Sequence, residues 1–282
     1  MKKGLVLEGG ALRSLFSAGV IDVMMENGID YDGLVGVSAG AAFGCNYKSR
    51  QPGRVIRYNK RFAKDWRYCS FRSLLLTGDL FGGDYDYHRL PEEFDPFDQE
   101  TFEQNPMNFY AVCTDLVTGK AIYKKLTTCD YNCYEWIRAS ASMPVAAKIV
   151  KVEGHKVLDG GITDSIPLKF MEKEGYDKNV VVLTQPLGYV KKPNPLMPLF
   201  RLQLHRYPKF IEASAHRHEM YNGQTAYVRQ QELAGRAFVI RPQHILPIHH
   251  LTHDPQLMQQ VYEEGRKVME EQMDDLKKYL KA

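Results

Sequence analysis

The sequence predicts an α/β fold built on a parallel sheet with helices on both faces. Two observations predict it. The chain opens by alternating short apolar runs with helical periodicity, and glycine-rich turns separate the runs. Gly4–Glu8 is an apolar run followed by Gly9-Gly10, as in a buried strand. Leu15, Phe16, Gly19, Val20, Val23 and Met24 then recur at helical spacing, and Gly28 supplies a C-cap. Asp32–Val37 reads as a second strand, and the small residues of Ala39–Tyr47 suit a tightly packed helix. Strand–helix–strand–helix is the unit of a parallel sheet covered on both sides.

Further along, Met107–Thr114 and Lys120–Leu126 flank Thr118-Gly119, an antiparallel hairpin signal. Ile149–Glu153 and Lys156–Leu158 flank Gly154-His155, a tighter one, and Asn179–Thr184 and Arg236–Ile240 are further strands. Lys191–Pro208 carries Pro193, Pro195, Pro198 and Pro208 and reads as a loop or lid-like excursion. From Asp254, a cap followed by Pro255, the chain reads as helix to its end. No repeat or linker appears, so one domain over residues 1–282 is expected. Its motif-bearing core would cover about 4–185 and its terminal helix about 254–281.

Composition narrows the function classes. With 44% hydrophobic and 25% charged residues in a chain of 282, a packed core is expected rather than disorder. A formal net charge of +3 does not indicate a nucleic-acid binder. The five cysteines are scattered and lack paired Cys or His motifs, so neither a metal nor a disulfide framework is expected, and no cofactor. Leu5-Val6-Leu7 is too short for a signal-peptide core, and no run reaches the roughly 20 apolar residues that span a bilayer. A soluble, cytoplasmic protein is the expectation.

Three stretches carry chemistry. Gly36-Val37-Ser38-Ala39-Gly40 fits Gly-x-Ser-x-Gly between an apolar strand and a small-residue helix. Gly36 and Gly40 leave room for a cramped turn that holds Ser38 at a helix N-terminus, where negative charge is favoured. A purely structural turn is the competing reading of this motif alone. Glu8-Gly9-Gly10-Ala11-Leu12-Arg13 ends the first strand and opens the first helix, so the amides of Gly9, Gly10, Ala11 and Leu12 are candidate oxyanion donors. A dinucleotide or phosphate cradle is disfavoured, because neither Gly-x-Gly-x-x-Gly nor a P-loop ending is present. Arg13 would support this loop through backbone carbonyls, with a substrate phosphate as its alternative partner. Leu158-Asp159-Gly160-Gly161 places a carboxylate at the end of a short strand, where desolvation would make it a better base for a serine. His155 is a rival at a hairpin tip. The late histidines, His205, His216, His218, His244, His249, His250 and His253, keep a Ser…Asp…His order open, with His88 earlier in the chain.

Together these stretches resemble the patatin-like phospholipase family, whose pattern is a glycine-rich loop ending in Arg-Gly, then Gly-x-Ser-x-Gly, then Asp-Gly-Gly or Asp-Gly-Ala. Ala139-Ser140-Ala141-Ser142-Met143-Pro144 and Pro167 also resemble family segments around the aspartate. The likeness covers about residues 4 to 185; beyond about Gln185 it is only a general similarity to bacterial members. It implies a three-layer αβα sandwich with a mostly parallel central sheet and a Ser–Asp dyad without histidine. It also implies hydrolysis of acyl esters of glycerolipids, with Ser38 as nucleophile and Asp159 as base. Acyl transfer through the same elbow and a non-catalytic lipid- or nucleotide-binding regulator are the competing functions. The sequence departs from the pattern at Ala11, in place of the third glycine, and at Ser14, in place of the glycine after arginine. Alanine keeps the amide donor but does not reach positive φ at low cost.

Residues 48–72 interleave Lys48, Arg50, Arg54, Arg57, Lys60, Arg61, Lys64, Arg67 and Arg72 with Tyr47, Tyr58, Phe62, Trp66, Tyr68 and Phe71. This suits a docking patch for anionic lipid and peripheral membrane contact. A solvated helix with an aromatic core face is the alternative, and single-stranded nucleic acid has no other support in the chain.

Overall fold

The computed structural model describes residues 1–249 and 252–281. In its first half the chain forms β1 (Lys3–Leu7), α1 (Leu15–Glu26), β2 (Gly33–Val37), α2 (Ala39–Lys48), α3 (Arg54–Phe62), α4 (Phe71–Thr77) and α5 (Gln99–Gln104). Next come β3 (Asn108–Asp115), β4 (Ala121–Leu126), α6 (Tyr131–Ser140), β5 (Val150–Val152), β6 (His155–Asp159), α7 (Leu168–Lys173) and β7 (Lys178–Val182). Then follow α8 (Met197–Gln203), α9 (Pro208–Ala215), α10 (Arg217–Leu233), β8 (Ala237–Ile240) and α11 (Pro255–Lys281). Ala11–Ser14 is a 3-10 turn, and Tyr85–Phe94 is a π-helical stretch with Pro91 inside it.

One sheet runs in the order β5-β6-β3-β2-β1-β7-β8, with β4 also on β3. Pairing is parallel between β1 and β2, β1 and β7, β2 and β3, and β7 and β8. It is antiparallel where β3 meets β4 and β6, and between β5 and β6. Strand residues alternate between two cores: Leu5, Leu7 and Leu34 face α1, α2 and α11, while Val6, Val35 and Val181 face α7 and α10. The central strands are therefore buried on both sides, which is why they read as continuous apolar runs.

One register positions the site. β4 bonds β3 from Phe109 to Thr114, so β2 and β6 share the opposite edge of β3. β2 ends its pairing with Val37 opposite Val112, and β6 takes over with Asp159 opposite Cys113. The residue after Val37 is Ser38. The strand ends thus bring two residues far apart in sequence into contact.

The hairpin turns use the expected glycines, with Gly119 at φ 64° and Gly154 at φ 81°. Lys191–Pro208 is not wholly a loop. It contains α8, which Pro198 enters in the first turn, where a missing N–H is harmless. The terminal helix starts as expected, with Asp254 Oδ1 accepting from the Gln256 amide at 2.8 Å.

α11 packs on α1 at close range because both lack side chains at the crossing. A Cβ on Gly19 would strike the Tyr262 carbonyl, and one on Gly265 the Phe16 carbonyl. Beside this crossing Asp22 is buried, accepting from Tyr262 Oη at 2.7 Å and the Gly53 amide at 2.8 Å, while its Oδ1 has no partner. Burial pushes the carboxyl up to about 6, against an ordinary 3.8. The folded state thus favours the protonated form, so the contribution of Asp22 is full below pH 3.8 and is lost as pH rises through about 6. We expect Asp22→Asn to flatten the fall in stability between about pH 4 and pH 7 by roughly 2–3 kcal/mol, read from urea midpoints across that range.

Candidate active site

Ser38 sits between β2 and α2 with φ 56° and ψ −127°, a strained conformation that turns its side chain out of the sheet. The turn closes only because its neighbours are small. A Cβ on Gly36 would lie 2.5 Å from the Gly40 carbonyl oxygen, and one on Gly40 at 2.5 Å from the Leu7 oxygen. Ser38 Oγ donates to Asp159 Oδ2 at 2.6 Å, and both residues are buried. Asp159 Oδ1 accepts from the Gly161 amide at 2.7 Å, which fixes the carboxylate plane. Burial raises the Asp159 carboxyl above its ordinary range, opposed by the charges of Arg217 and Lys191 and by its bonds to Ser38 and Gly161. Gly160 is required because a Cβ there would strike the Val112 carbonyl.

The loop after β1 lies against Ser38: a Cβ on Gly9 would be 2.8 Å from Ser38 Cβ. The amides of Gly9, Gly10 and Ala11 donate to no other described residue, so they are available to an oxygen at this point. Ala11 adopts φ 49°, the left-handed region that alanine was expected to avoid. The substitution for glycine keeps the loop shape at a local cost of about 1–2 kcal/mol. Among the described residues Arg13 donates no side-chain hydrogen bond to a loop carbonyl, contrary to the structural role expected of it, and its buried Nε meets no partner. Leu12 is buried, and Ser14, where the family pattern has glycine, is wholly buried with Oγ unpartnered.

No described histidine bonds Ser38 or Asp159. His155 is half exposed at the β5–β6 turn, 3.6 Å from Asp115. His88 pairs with Glu135 at 2.9 Å, and His205, His216, His218 and His253 bond to Leu202, Glu219, Ala215 and Ala63. His250 lies outside the described residues.

An apolar cavity opens beside Ser38, enclosing about 910 Å³ with the solvent at its mouth included. Ala11, Leu12, Ala42, Phe43, Leu90, Phe97, Ile137 and Met143 line it together with Ser38. Its wall is mainly apolar, with Arg54, Asn59 and Asp86 among its polar lining.

Not all of the basic segment reaches the surface. Lys48 is buried and donates to the Asn105 and Met107 carbonyls at 2.7 Å; Arg54 is buried against the Asp95 carbonyl. Arg57 pairs with Asp95, Arg50 with Asp30 and Arg67 with Asp65. Tyr47, Tyr58, Phe62 and Tyr68 belong to the core. α3 is thus an amphipathic helix whose aromatic face is internal. Trp66, Phe71, Leu75 and Leu76 remain exposed, with Arg72 stacked 4.4 Å over the Trp66 ring.

Residues 5–171 match the patatin-like phospholipase family over more than half the chain. The chain belongs to the patatin-like phospholipase family. Residues 207–281 match a second family, a domain of unknown function (DUF6363). The uncharacterized protein YjjU of Escherichia coli K12 is 30% identical over 201 residues, covering 64% of this chain and 52% of YjjU. Lysophospholipase nte1 of Aspergillus niger is 27% identical over 199 residues, covering 68% of this chain and 12% of that protein. Lysophospholipase NTE1 of Coccidioides immitis is likewise 27% identical over 199 residues, again with 68% and 12% covered. The chain therefore spans about half of YjjU and a small part of the fungal proteins.

Several residues that hold this patatin-like site were not singled out from sequence. Ser140 Oγ accepts from the Ser38 amide at 2.9 Å and donates to the Val112 carbonyl at 2.6 Å, bridging the elbow to β3. Thr114 Oγ1 donates to the Asp159 carbonyl at 2.8 Å. Glu8, buried, accepts from Tyr221 Oη and the Thr184 amide, both at 2.6 Å, and so ties the loop after β1 to α10 and the end of β7. The small-residue run around Ser140 was the one available signal. Tyr221 and Thr184 had none.

Ser140→Ala is expected to leave the Ser38 amide unsatisfied in a buried place, at about 1–3 kcal/mol. The check is a lowered urea midpoint together with slower fluorophosphonate labelling at Ser38.

Proposed function

We propose that the chain is a serine acyl hydrolase that cleaves acyl esters of single-chain or two-chain glycerolipids through Ser38 and Asp159. The observation that carries this reading is the 2.6 Å hydrogen bond between Ser38 Oγ and Asp159 Oδ2, with Ser38 lining a mainly apolar cavity beside amides that have no partner among the described residues. The lysophospholipase names of the fungal relatives support a lysophospholipid as one substrate.

In this mechanism the acyl chain enters the cavity and presents its ester carbonyl to Ser38. Asp159 takes the hydroxyl proton as Oγ attacks, and the amides of Gly10 and Ala11, with Gly9 or Leu12, hold the oxyanion. The proton passes to the departing alcohol. Water, deprotonated by Asp159, then releases the fatty acid from Ser38. Asp159 works as a base because burial raises its proton affinity while its two fixed bonds keep it aimed. No histidine is needed for these steps. We further propose that residues 1–282 act as one unit, since β8 completes the sheet and α11 braces α1.

Hydrolysis of a p-nitrophenyl ester of medium chain length is expected to fall at least ~10³-fold in both Ser38→Ala and Asp159→Asn, and fluorophosphonate should modify Ser38. Modification elsewhere would overturn the assignment. Because the base must be unprotonated and its pKa is raised, kcat/KM should decline on acidification at a pH above the ordinary carboxylate range.

Peripheral lipid contact belongs, on this reading, to α4 rather than to the whole of residues 48–72. Phe71, Leu75 and Leu76 are exposed there, next to Trp66 and Arg72. Co-sedimentation with anionic vesicles should drop several-fold in a Leu75→Glu/Leu76→Glu variant; undiminished binding would remove α4 from the contact.

A further inference from the structure

Three cations converge near the Ser38–Asp159 pair, and the mechanism above uses none of them directly. Arg217, at the start of α10, donates Nε to the Gly161 carbonyl at 2.6 Å, directly after the Asp159 turn. Lys191 lies between β7 and α8, with Nζ 4.5 Å over the Tyr221 ring and 5.9 Å from that of Tyr189. Arg13 leaves the oxyanion loop with its Nε unbonded. All three are only partly buried, so each can meet a ligand.

The obvious structural explanation is that they neutralise Glu8 and Asp159. The bonding argues otherwise. Both oxygens of Glu8 are taken by Tyr221 and Thr184, and both of Asp159 by Ser38 and Gly161. Among the described residues none of the three cations stands within ion-pairing distance of any carboxylate. Lys191 is held in a place that disfavours its charge. Burial, then Arg217, bring its ammonium down to about 8, and Arg13 adds to the effect. Partly exposed cations without a carboxylate partner, gathered beside the Ser38–Asp159 pair, are complementary to an anion. Two guanidinium forks and one ammonium match the several oxygens of a phosphodiester better than a single carboxylate.

We propose that Lys191 and Arg217, with Arg13, form a subsite beside Ser38 that takes the phosphate of a glycerophospholipid headgroup. Lys191 and Arg217 both lie beyond residues 5–171, so this preference would come from the C-terminal part of the chain. The proposal rests on the reading that Ser38 cleaves acyl esters.

The test compares 1-oleoyl-lysophosphatidylglycerol with 1-oleoylglycerol, the same chain and ester without the phosphate, in mixed micelles. The wild-type chain should prefer the phosphate-bearing ester by about 10-fold or more in kcat/KM, and Lys191→Gln should cut that ratio about 10-fold, chiefly through KM. Arg217→Gln should do the same and Arg217→Lys should restore part of it, with thermal unfolding confirming that each variant is folded. A wild-type ratio near one, or a ratio unchanged in Lys191→Gln, overturns the subsite. Inorganic phosphate is a second arm. If it alone inhibits p-nitrophenyl ester turnover as strongly as the lysolipid does, the ligand is free phosphate and the headgroup assignment falls. Binding of both lipids to the Ser38→Ala protein supplies a readout without turnover. Headgroup-dependent binding there supports the subsite even if the wild type cleaves neither ester, an outcome that would sink the hydrolase reading alone. Equal binding of the two lipids sinks the subsite.

Discussion

The handover on the edge of β3 is the constraint on which the site depends. β2 occupies that edge as far as Val112, and β6 occupies it from Cys113. Ser38 is one step past the end of β2 and Asp159 is the last residue of β6, both strands fixed to the same backbone, so their separation is set by ladder hydrogen bonds rather than by flexible loops. Ser140 and Thr114 strengthen the arrangement from either side, one bonding the elbow amide and the other the Asp159 carbonyl. Gly160 is obligatory for the same reason: the two strands can share an edge only if the turn after Asp159 passes hard against Val112.

Such a site costs stability. Ser38 and Ala11 both hold positive φ, each at a cost of about 1–2 kcal/mol, and Glu8 and Asp159 are buried carboxyls with no ionic partner among the described residues. The offset comes from the fully buried central strands and from the close crossing of α1 with α11. Glu8 shows how the expense is contained. Its two short bonds satisfy both oxygens and join the loop after β1 to α10, so a destabilising group becomes a brace.

Much of this was legible in the sequence, for identifiable reasons. Strands buried on both faces must be continuously apolar, and the tight turn around Ser38 needs glycine, so β1, β2, the two hairpins and the three motif stretches stood out locally. What could not be read were residues whose meaning is purely long-range. Arg217 and Tyr221 lie on a helix with no sequence feature of their own and reach Gly161 and Glu8 only through the fold. The segment 48–72 misled because composition does not reveal which side of a helix is covered. Tyr47, Tyr58, Phe62 and Tyr68 went inward and most of its charges found partners, while Trp66, Phe71 and Arg72 stayed exposed at and beside α4. At Ala11 propensity was overridden by context, since the packing of the loop against Ser38 dictates the backbone.

The pairing of β7 with β1 bears on how the chain can be divided. The region that defines the family ends at residue 171, inside α7, yet β1 from Lys3 to Leu7 is bonded along its length to Lys178–Val182. A fragment trimmed to the family boundary would present Leu5, Val6 and Leu7 as a naked, flat, apolar margin with every other amide and carbonyl unclaimed. Such a margin recruits a second molecule in place of the missing strand. Residues after 171 therefore act as the sheet's guard against self-association.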